Sequence, residues 1–209
     1  MDLRDFRENY TKGELVENLV HPHPIEQFKR WLKDAIEAKM YEPNAMTLST
    51  SSGNRVSSRI VLLKAIGEGF TFFTNYHSKK GGDLNENPNA SLLFYWPEMQ
   101  RQVRIEGRVI KISKYDSEKY FHSRPIGSQL GAKVSNQSST INSREELELS
   151  YANLEKEFQG KEIPMPNHWG GYELIPNYFE FWQGRTSRLH DRLAYEKVEN
   201  DWEIFRLAP

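Results

Sequence analysis

The first part of the chain carries apolar residues at helical spacing. The stripe starts after Pro24, a residue tolerated in the first turn of a helix, and stops before Pro43. Residues three or four apart lie on one face, so the pattern predicts an amphipathic helix that packs on a core. The stripe consists of Ile25, Phe28, Leu32, Ile36 and Met40.

Beyond this helix, short apolar segments separated by turn residues indicate strands. Segments 45–50 and 56–63 flank the turn residues Ser51-Ser52-Gly53-Asn54 and together predict a hairpin. Because the two strands of a hairpin run in opposite directions, the sheet is expected to be antiparallel. The further predicted strands are 70–74, 90–96, 102–112, 171–175, 178–182, 189–195 and 202–207.

Two further helices are predicted between these strands, with a short helix or loop at 79–87. One spans 114–121, and the other, 144–158, starts with Ser143 and Glu146 in capping-box spacing. Strands and helices do not alternate regularly, which favours an α+β fold with a closed or nearly closed antiparallel barrel and flanking helices. The chain has no Gly-x-Gly-x-x-Gly or Walker motif, so side chains and turn amides must hold any phosphate.

Composition narrows the class of protein. The 209 residues include 37% hydrophobic and 27% charged residues, which suits a single domain over 1–209 and excludes a disordered or membrane-embedded chain. Lys plus Arg total 28 against 29 Asp plus Glu, so no overall charge attracts nucleic acid or an anionic membrane. There is no Cys, and the amino terminus lacks the apolar stretch of a signal peptide, so we expect a cytoplasmic protein.

Basic residues with hydroxyl neighbours cluster in four places, the first of which is a predicted strand. Arg59 and Lys64 bracket four aliphatic residues, and alternation along a strand directs one charge to each face. Two interpretations stay open for this segment. It is either a strand whose charged ends reach solvent or a pair of separate anion contacts.

The second and third clusters are both compatible with phosphate. Lys79 and Lys80 follow a strand and stand where a helix could begin, so free backbone donors could add to their charges. Tyr120, Arg124 and Ser128 are four residues apart and would share one face if the segment is helical. A solvated turn and an ordinary helix end are the alternatives.

The fourth cluster, 181–192, favours a function. Arg188, His190 and Arg192 alternate along a predicted strand, and on one face their charges would repel unless an anion or an electron-rich ring lies against them. Five histidines form no metal-ligand spacing with carboxylates: His21, His23, His77, His122 and His168. We therefore expect no metal.

In this order, the clusters resemble the pyridoxamine 5′-phosphate oxidase family over residues 7–209. The resemblance rests mainly on Trp182-Gln183-Gly184 and Arg188-Leu189-His190-Asp191-Arg192, with further matches in segments 59–64, 74–80, 101–103, 120–128 and 134–139. It implies a flavin mononucleotide (FMN)-binding split β-barrel and a homodimer with two active sites at the subunit interface. The implied activity is that of a pyridoxal 5′-phosphate synthase, which oxidises pyridoxamine and pyridoxine 5′-phosphate with O2 and releases H2O2, plus ammonia from the amine.

The resemblance also implies two sets of binding residues. Lys79 stands where the family usually carries Arg, which exchanges a planar fork for a point charge at the FMN phosphate. The residues implied for FMN are Arg59, Ile60, Val61, Leu62, Leu63, Lys64, Phe73, Thr74, Lys79, Lys80, Gln102, Gln137, Ser138, Trp182 and Arg192. Those implied for the substrate are Arg7, Tyr10, Lys64, Tyr120, Arg124, Ser128, Arg188, Leu189 and His190.

Within these sets, Arg188 and His190 are the implied catalytic residues, set against the substrate ring and its reacting carbon. Residues 1–20 are expected to form a flexible segment that covers the site. Two alternatives remain: a related split-barrel FMN oxidase of another aromatic compound, such as a phenazine precursor, and a non-catalytic flavin-binding protein. The phosphate set around Arg124 argues against the first alternative, and Arg188 and His190 argue against the second.

Overall fold

The computed structural model describes residues 1–5 and 8–209, and within them five α-helices and nine strands. The helices are α1 (Pro24–Glu37), α2 (Lys79–Glu86), α3 (Lys114–Ser123), α4 (Ile126–Val134) and α5 (Arg144–Glu157). The strands are β1 (Ala45–Ser52), β2 (Arg55–Leu62), β3 (Ala65–Ile66), β4 (Phe70–Asn75), β5 (Asn89–Trp96), β6 (Arg101–Lys111), β7 (Trp169–Gln183), β8 (Asp191–Val198) and β9 (Asp201–Arg206).

All strands join one antiparallel sheet in the order β2-β1-β5-β6-β7-β4-β3, with β8 added to β7 and β9 to β8. The long strand β7 is the branch point: its first part pairs with β4 and its last part with β8, while β6 runs beside both. The α+β class with an antiparallel sheet is thus confirmed.

A register shift in the β6–β7 pair lies where Gly107 faces Pro176. A Cβ on Gly107 would come within 2.1 Å of the carbonyl oxygen of Ile175, so only glycine allows the two backbones to approach this closely. The prediction of two strands, 171–175 and 178–182, was wrong. Pro176 cannot donate to the ladder, and the bulge absorbs it within one continuous strand.

The core lies between α1 and the sheet. Phe28 of α1 is fully buried, with its ring 5.0 Å from that of Phe70 and 4.7 Å from that of Phe94. Trp31, one turn further along, packs edge-on against Phe181 at 5.2 Å. The predicted helix start is confirmed, but the helix ends at Glu37 and Ile36 is 56% exposed. Its buried stripe runs through Trp31 and Ala35 instead.

A smaller apolar cluster joins α3 and α4 to the start of β7. It is formed by Phe121, Leu130, Ile163 and Trp169, all buried. Helix α4 was not predicted, because segment 126–134 contains two glycines and a serine, which disfavour a helix. This cluster forms one wall of a cavity that many of the predicted site residues line.

Candidate active site

A cavity of about 840 Å³ opens between β2, β4, the α3–α4 junction and the loop after α4. It collects most of the residues implied for the FMN phosphate end and for the substrate phosphate. Several residues that the sequence did not single out also line it, among them Trp169, Asn75 and Ser135. The predicted residues that line it are Arg59, Ile60, Val61, Leu62, Lys64, Phe73, Thr74, Lys80, Tyr120, Arg124, Ser128 and Gln137.

Arg59 enters the cavity from β2, and hydrogen bonds to residues of β1 and β2 fix its guanidinium group. Its Nη1 donates to Thr50 Oγ1 at 2.7 Å and to the Leu48 carbonyl oxygen at 3.1 Å, and its Nη2 donates to Ser57 Oγ at 2.5 Å. The buried carboxylate of Asp83 lies 3.8 Å from Nη2. Burial lowers the pKa of Arg59, and Asp83 opposes that shift. Arg59 is therefore an oriented cation, which favours the anion-contact interpretation of β2.

Lys80 is the most deeply placed lysine of the cavity. Its Nζ donates to Gln137 Oε1 at 2.7 Å and to Thr74 Oγ1 at 3.1 Å. Burial, and then the nearby charge of Arg59, lower the pKa of Lys80 to about 8. A bound anion would compensate both effects, so this position suits a phosphate.

Lys79 has a different environment. It is the first residue of α2, and its Nζ lies 3.2 Å from Asp83 Oδ1. Its backbone N–H donates to Ser138 Oγ at 3.2 Å, and Ser138 has a left-handed backbone with φ of +73°. Neither residue lines the cavity, although both lie beside Lys80 at the start of α2.

Tyr120, Arg124 and Ser128 meet in the cavity, but not by the predicted helical geometry. Arg124 has ψ of 151°, so the chain is extended between α3 and α4, and the interpretation of one continuous helical face was wrong. Proline at 125 explains the break, since the residue before proline avoids the helical region. Burial lowers the pKa of Arg124, and its buried Nη1 has no hydrogen-bond partner among the described residues. Such a donor suits an anionic ligand.

The remaining implied residues form a second cluster around Trp182. The Trp182 ring lies 5.7 Å from Tyr10 and 4.7 Å from His190, and Tyr10 lies 5.5 Å from His190. Gln102 on β6 and Arg192 on β8 are the register partners of Trp182 on either side. None of these residues lines the cavity described above. One chain thus contains two separate groups of the predicted site residues.

Arg188 does not lie on a regular strand. Ser187 and Arg188 have φ of +56° and +60° in a tight turn, and β8 starts only at Asp191. The prediction of one strand face for Arg188, His190 and Arg192 was therefore wrong. Arg192 donates to Glu180 Oε1 at 2.7 Å and to the Ala208 carbonyl oxygen at 2.6 Å, whereas Arg188 is exposed.

His190 is oriented by its own turn. The Arg185 backbone N–H donates to its Nδ1 at 3.1 Å, so the neutral ring carries its proton on Nε2. Burial, and then the charge of Arg188, lower the pKa of His190 and favour that neutral form. Two implied residues with aliphatic side chains do not line the cavity: Leu63 is buried in the core, and Leu189 is 68% exposed.

The amino-terminal segment 8–20 docks on this turn; Arg7 lies outside the described residues. The backbone N–H groups of Thr11 and Lys12 both donate to Gln100 Oε1, at 2.8 and 3.1 Å. The Leu15 N–H donates to Asp191 Oδ2 at 3.1 Å. We call residues 8–20 the strap. The strap places Tyr10 against Trp182 and His190.

Two features are absent from the described ranges, 1–5 and 8–209. No helix there has the length and apolar character needed to cross a membrane. No group of three or more histidine, aspartate and glutamate side chains there could hold a metal ion.

Comparison with known proteins shows to which family the chain belongs. Residues 32–156 match the sequence profile described as pyridoxamine 5′-phosphate oxidase. The chain belongs to this family. Residues 169–209 of this family member match the pyridoxine 5′-phosphate oxidase C-terminal dimerisation region, which contains Trp182, Arg188, His190 and Arg192.

Relatives support this assignment along the whole chain. A protein of Bordetella pertussis named pyridoxine/pyridoxamine 5′-phosphate oxidase is 53% identical over 215 residues, covering 100% of both chains. A Cyanothece protein of the same name is 51% identical over 211 residues, covering 100% of this chain and 99% of its own. The predicted family resemblance is therefore confirmed.

Solved structures show the same architecture. PhzG from Burkholderia lata, in complex with tetrahydrophenazine-1-carboxylic acid, has a TM-score of 0.89 and 33% identity, covering 95% of this chain and 100% of its own. A pyridoxamine 5′-phosphate oxidase-related, FMN-binding protein from Nostoc punctiforme has a TM-score of 0.74 at 15% identity, covering 91% and 100%. The split-barrel fold is confirmed, and family membership supports FMN as the cofactor.

Proposed function

We propose that the protein is an FMN-dependent oxidase that converts pyridoxamine 5′-phosphate and pyridoxine 5′-phosphate to pyridoxal 5′-phosphate. Oxygen is the electron acceptor, H2O2 is released, and the amine substrate also yields ammonia. The observation that carries this proposal is one cavity with two sets of phosphate donors. Arg59 and Lys80 form the first set, and Arg124, Tyr120 and Ser128 form the second. Two sets suit a phosphorylated cofactor together with a phosphorylated substrate.

The first set fits FMN. Burial and the charge of Arg59 lower the pKa of Lys80 to about 8, and a phosphate dianion beside both cations would offset both effects. Thr74 and Gln137 supply neighbouring polar groups, and Lys79 adds a second cation at the start of α2. When bound, FMN supplies the redox chemistry by accepting hydride from the substrate.

The second set fits the substrate phosphate. The buried Nη1 of Arg124 is a donor without a partner among the described residues, and a phosphate oxygen is a strong acceptor for it. The hydroxyls of Tyr120 and Ser128 line the same cavity, and Lys64 adds a cation at its rim. These groups bind substrate and orient it towards the flavin, which is the larger part of the protein's contribution to the reaction.

His190 is proposed to orient the substrate by donating a hydrogen bond. Because Nδ1 already accepts the Arg185 N–H, the proton of the neutral ring lies on Nε2 and is available to the reacting heteroatom of the substrate. The lowered pKa of His190 keeps this donor neutral. Arg188, whose turn is fixed by two left-handed residues, is proposed to lie against the substrate ring.

The two groups of site residues are proposed to combine in a homodimer. The second cluster, around Trp182, lies in the segment that matches a dimerisation region, and it does not line the cavity of its own chain. In a twofold dimer the cluster of one subunit can complete the cavity of the other. Gln102, Trp182, Arg188, His190 and Arg192 would then contact the flavin and substrate of the partner subunit.

A phenazine-type substrate is the second candidate, favoured by the similarity to PhzG at a TM-score of 0.89. The identity to that protein is 33%, against 53% to the Bordetella oxidase. Peroxide release by the FMN-loaded protein decides between them. We expect turnover with pyridoxine and pyridoxamine 5′-phosphate and none with a tetrahydrophenazine carboxylate. The opposite result would reject the proposal, and no peroxide with any of these compounds would indicate a flavin-binding protein without this activity.

A further inference from the structure

Trp169 lies at the start of β7, lines the cavity and is 6% exposed. Its ring is nearly parallel to those of Phe73, at 5.4 Å and 14°, and of Tyr120, at 6.2 Å and 8°. Phe73 and Tyr120 stack directly on each other at 3.9 Å. The three rings form one aromatic group on the wall that carries the substrate-phosphate donors.

Arg124 lies over this group. Its guanidinium carbon is 4.8 Å from the centroid of Trp169 and 5.9 Å from that of Phe121. The backbone of Arg124 is fixed independently, because its N–H donates to the Phe121 carbonyl and its own carbonyl accepts from Gln129 Nε2 at 2.8 Å. A cation held by a ring face keeps its N–H donors free for a ligand. The buried, unpartnered Nη1 of Arg124 agrees with this arrangement.

We propose that Trp169 is a positioning residue that holds the Arg124 guanidinium and the Tyr120 ring in the orientation that binds the phosphate of the substrate. This inference rests on the proposed function, since it assumes that Arg124 and Tyr120 contact that phosphate. One side chain thereby supports two of the substrate-phosphate donors. Its loss should weaken substrate binding while the Arg59 and Lys80 side of the cavity stays intact.

A purely structural role is the competing interpretation, because Trp169 also belongs to the apolar cluster with Phe121, Leu130 and Ile163. Replacing a buried tryptophan lowers stability in either case. The chain offers a matched control. Trp31 is 5% exposed and has the guanidinium of Arg101 at 4.6 Å from its ring, but it does not line the cavity. Its replacement removes the same kind of contact elsewhere.

The experiment compares Trp169→Leu, Trp169→Phe, Trp31→Leu and Arg124→Ala in the FMN-loaded protein. KM and kcat are measured with pyridoxine 5′-phosphate, and the Kd of pyridoxal 5′-phosphate is measured by calorimetry. We expect Trp169→Leu to raise KM and Kd by about tenfold with kcat within about twofold of wild type. Trp169→Phe, which keeps a smaller and weaker ring face, should raise both by about two- to fourfold. FMN affinity should stay near the wild-type value in both.

Trp31→Leu should lower the melting temperature and leave KM and Kd unchanged. An increase in KM for Trp31→Leu equal to that for Trp169→Leu would overturn the proposal, because it would reflect general destabilisation. Unchanged KM and Kd in Trp169→Leu would also overturn it. If that variant does not fold, wild-type values in Trp169→Phe have the same meaning. Should Arg124→Ala also bind substrate normally, the error lies in the proposed phosphate site rather than in Trp169 alone.

Discussion

Lys80 donates a hydrogen bond of 2.7 Å to Oε1 of Gln137, which lies 57 positions later in the chain. The bond connects the first turn of α2 to the loop after α4, so two distant segments meet at the floor of the cavity. Thr74 Oγ1 donates to the same Gln137 oxygen at 3.1 Å. The loop is thereby held against the proposed phosphate end of FMN.

The affinity for FMN should fall as pH rises through about 8. Burial and Arg59 lower the pKa of Lys80 to about 8, so the unliganded protein loses this proton there, whereas the flavin phosphate is already dianionic above about pH 7. Flavin fluorescence titration of the apoprotein between about pH 6.5 and 9.5 measures the effect. Riboflavin, which lacks the phosphate, should show no such dependence on Lys80.

Lys80→Met is the control for this pH dependence, and its FMN affinity should be weak and flat across the same range. The stability of the apoprotein should change in the opposite direction to FMN affinity. The folded chain releases the Lys80 proton at a lower pH than the unfolded chain, so the unfolded state binds more protons between about pH 8 and 10. Lys80 therefore makes the apoprotein more stable relative to its unfolded state as pH rises through that window. If the affinity for FMN still falls as pH rises through about 8 in Lys80→Met, Lys80 is not the source of this pH dependence.

Arg124→Ala should raise KM for phosphorylated substrate with little change in kcat. A charge-assisted contact of about 1.5–3 kcal/mol that exists in both the ground state and the transition state affects binding rather than the chemical step. Steady-state kinetics with pyridoxine 5′-phosphate gives the measurement. The FMN content of the purified variant should match wild type, because Arg59 and Lys80 are unchanged. A wild-type KM would remove Arg124 from the phosphate site.

Arg188→Ala should lower kcat/KM by about a hundredfold or more, the penalty expected when a reacting geometry is misplaced by about an ångström. His190→Ala should act in the same direction through loss of the Nε2 donor. Because Arg188 is exposed, its removal should barely change the melting temperature. Anaerobic single-turnover reduction of the flavin by saturating pyridoxine 5′-phosphate isolates the chemical step. Wild-type rates in both variants would exclude them from the chemistry, and loss of FMN would assign them to the flavin instead.

Two inactive variants should restore activity when they are mixed. Lys80→Met damages the cavity, and Arg188→Ala damages the cluster that we propose the partner subunit supplies. In a mixed dimer one site then carries both changes and the other carries neither, so mixed dimers isolated through both tags should retain about half of the wild-type sites. Co-expression with two affinity tags and assay of the mixed species measures this. If the mixed dimers stay inactive, each site is built within one chain.

Local patterns in the sequence were sufficient to predict many of the helices and strands. The β1–β2 hairpin was predicted because strand-like segments flank the turn residues 51–54, and in the structure Gly53 of this turn has φ of +52°. Helix α5 was predicted from its capping residue, and Ser143 Oγ does accept the Glu146 N–H at 3.2 Å. The continuity of β7 was not predictable from Pro176 itself, because only its partner Gly107 shows that a bulge absorbs the proline.

The sequence predicted many of the residues that line the cavity, but not how the chain arranges them in space. Arg59, Lys80 and Arg124 meet in one cavity although they come from β2, α2 and the α3–α4 junction. Trp169 was missed, because it precedes the predicted strand 171–175 and belongs to none of the four basic clusters, so that only its neighbours in the structure show its place in the cavity. The left-handed turn at Ser187 and Arg188 has no glycine to mark it, so the sequence alone indicated a regular strand.

At positions 11 and 12 the strap is attached through its main chain. Gln100 and Asp191 receive the amide groups of Thr11, Lys12 and Leu15, so the attachment does not depend on which side chains positions 11 and 12 carry. Both of those side chains are exposed. The side chains at positions 11 and 12 can therefore vary during evolution while the strap stays attached. In saturation mutagenesis, the protein should tolerate nearly every residue at these two positions. Proline is the exception, since it lacks the amide hydrogen that makes the attachment.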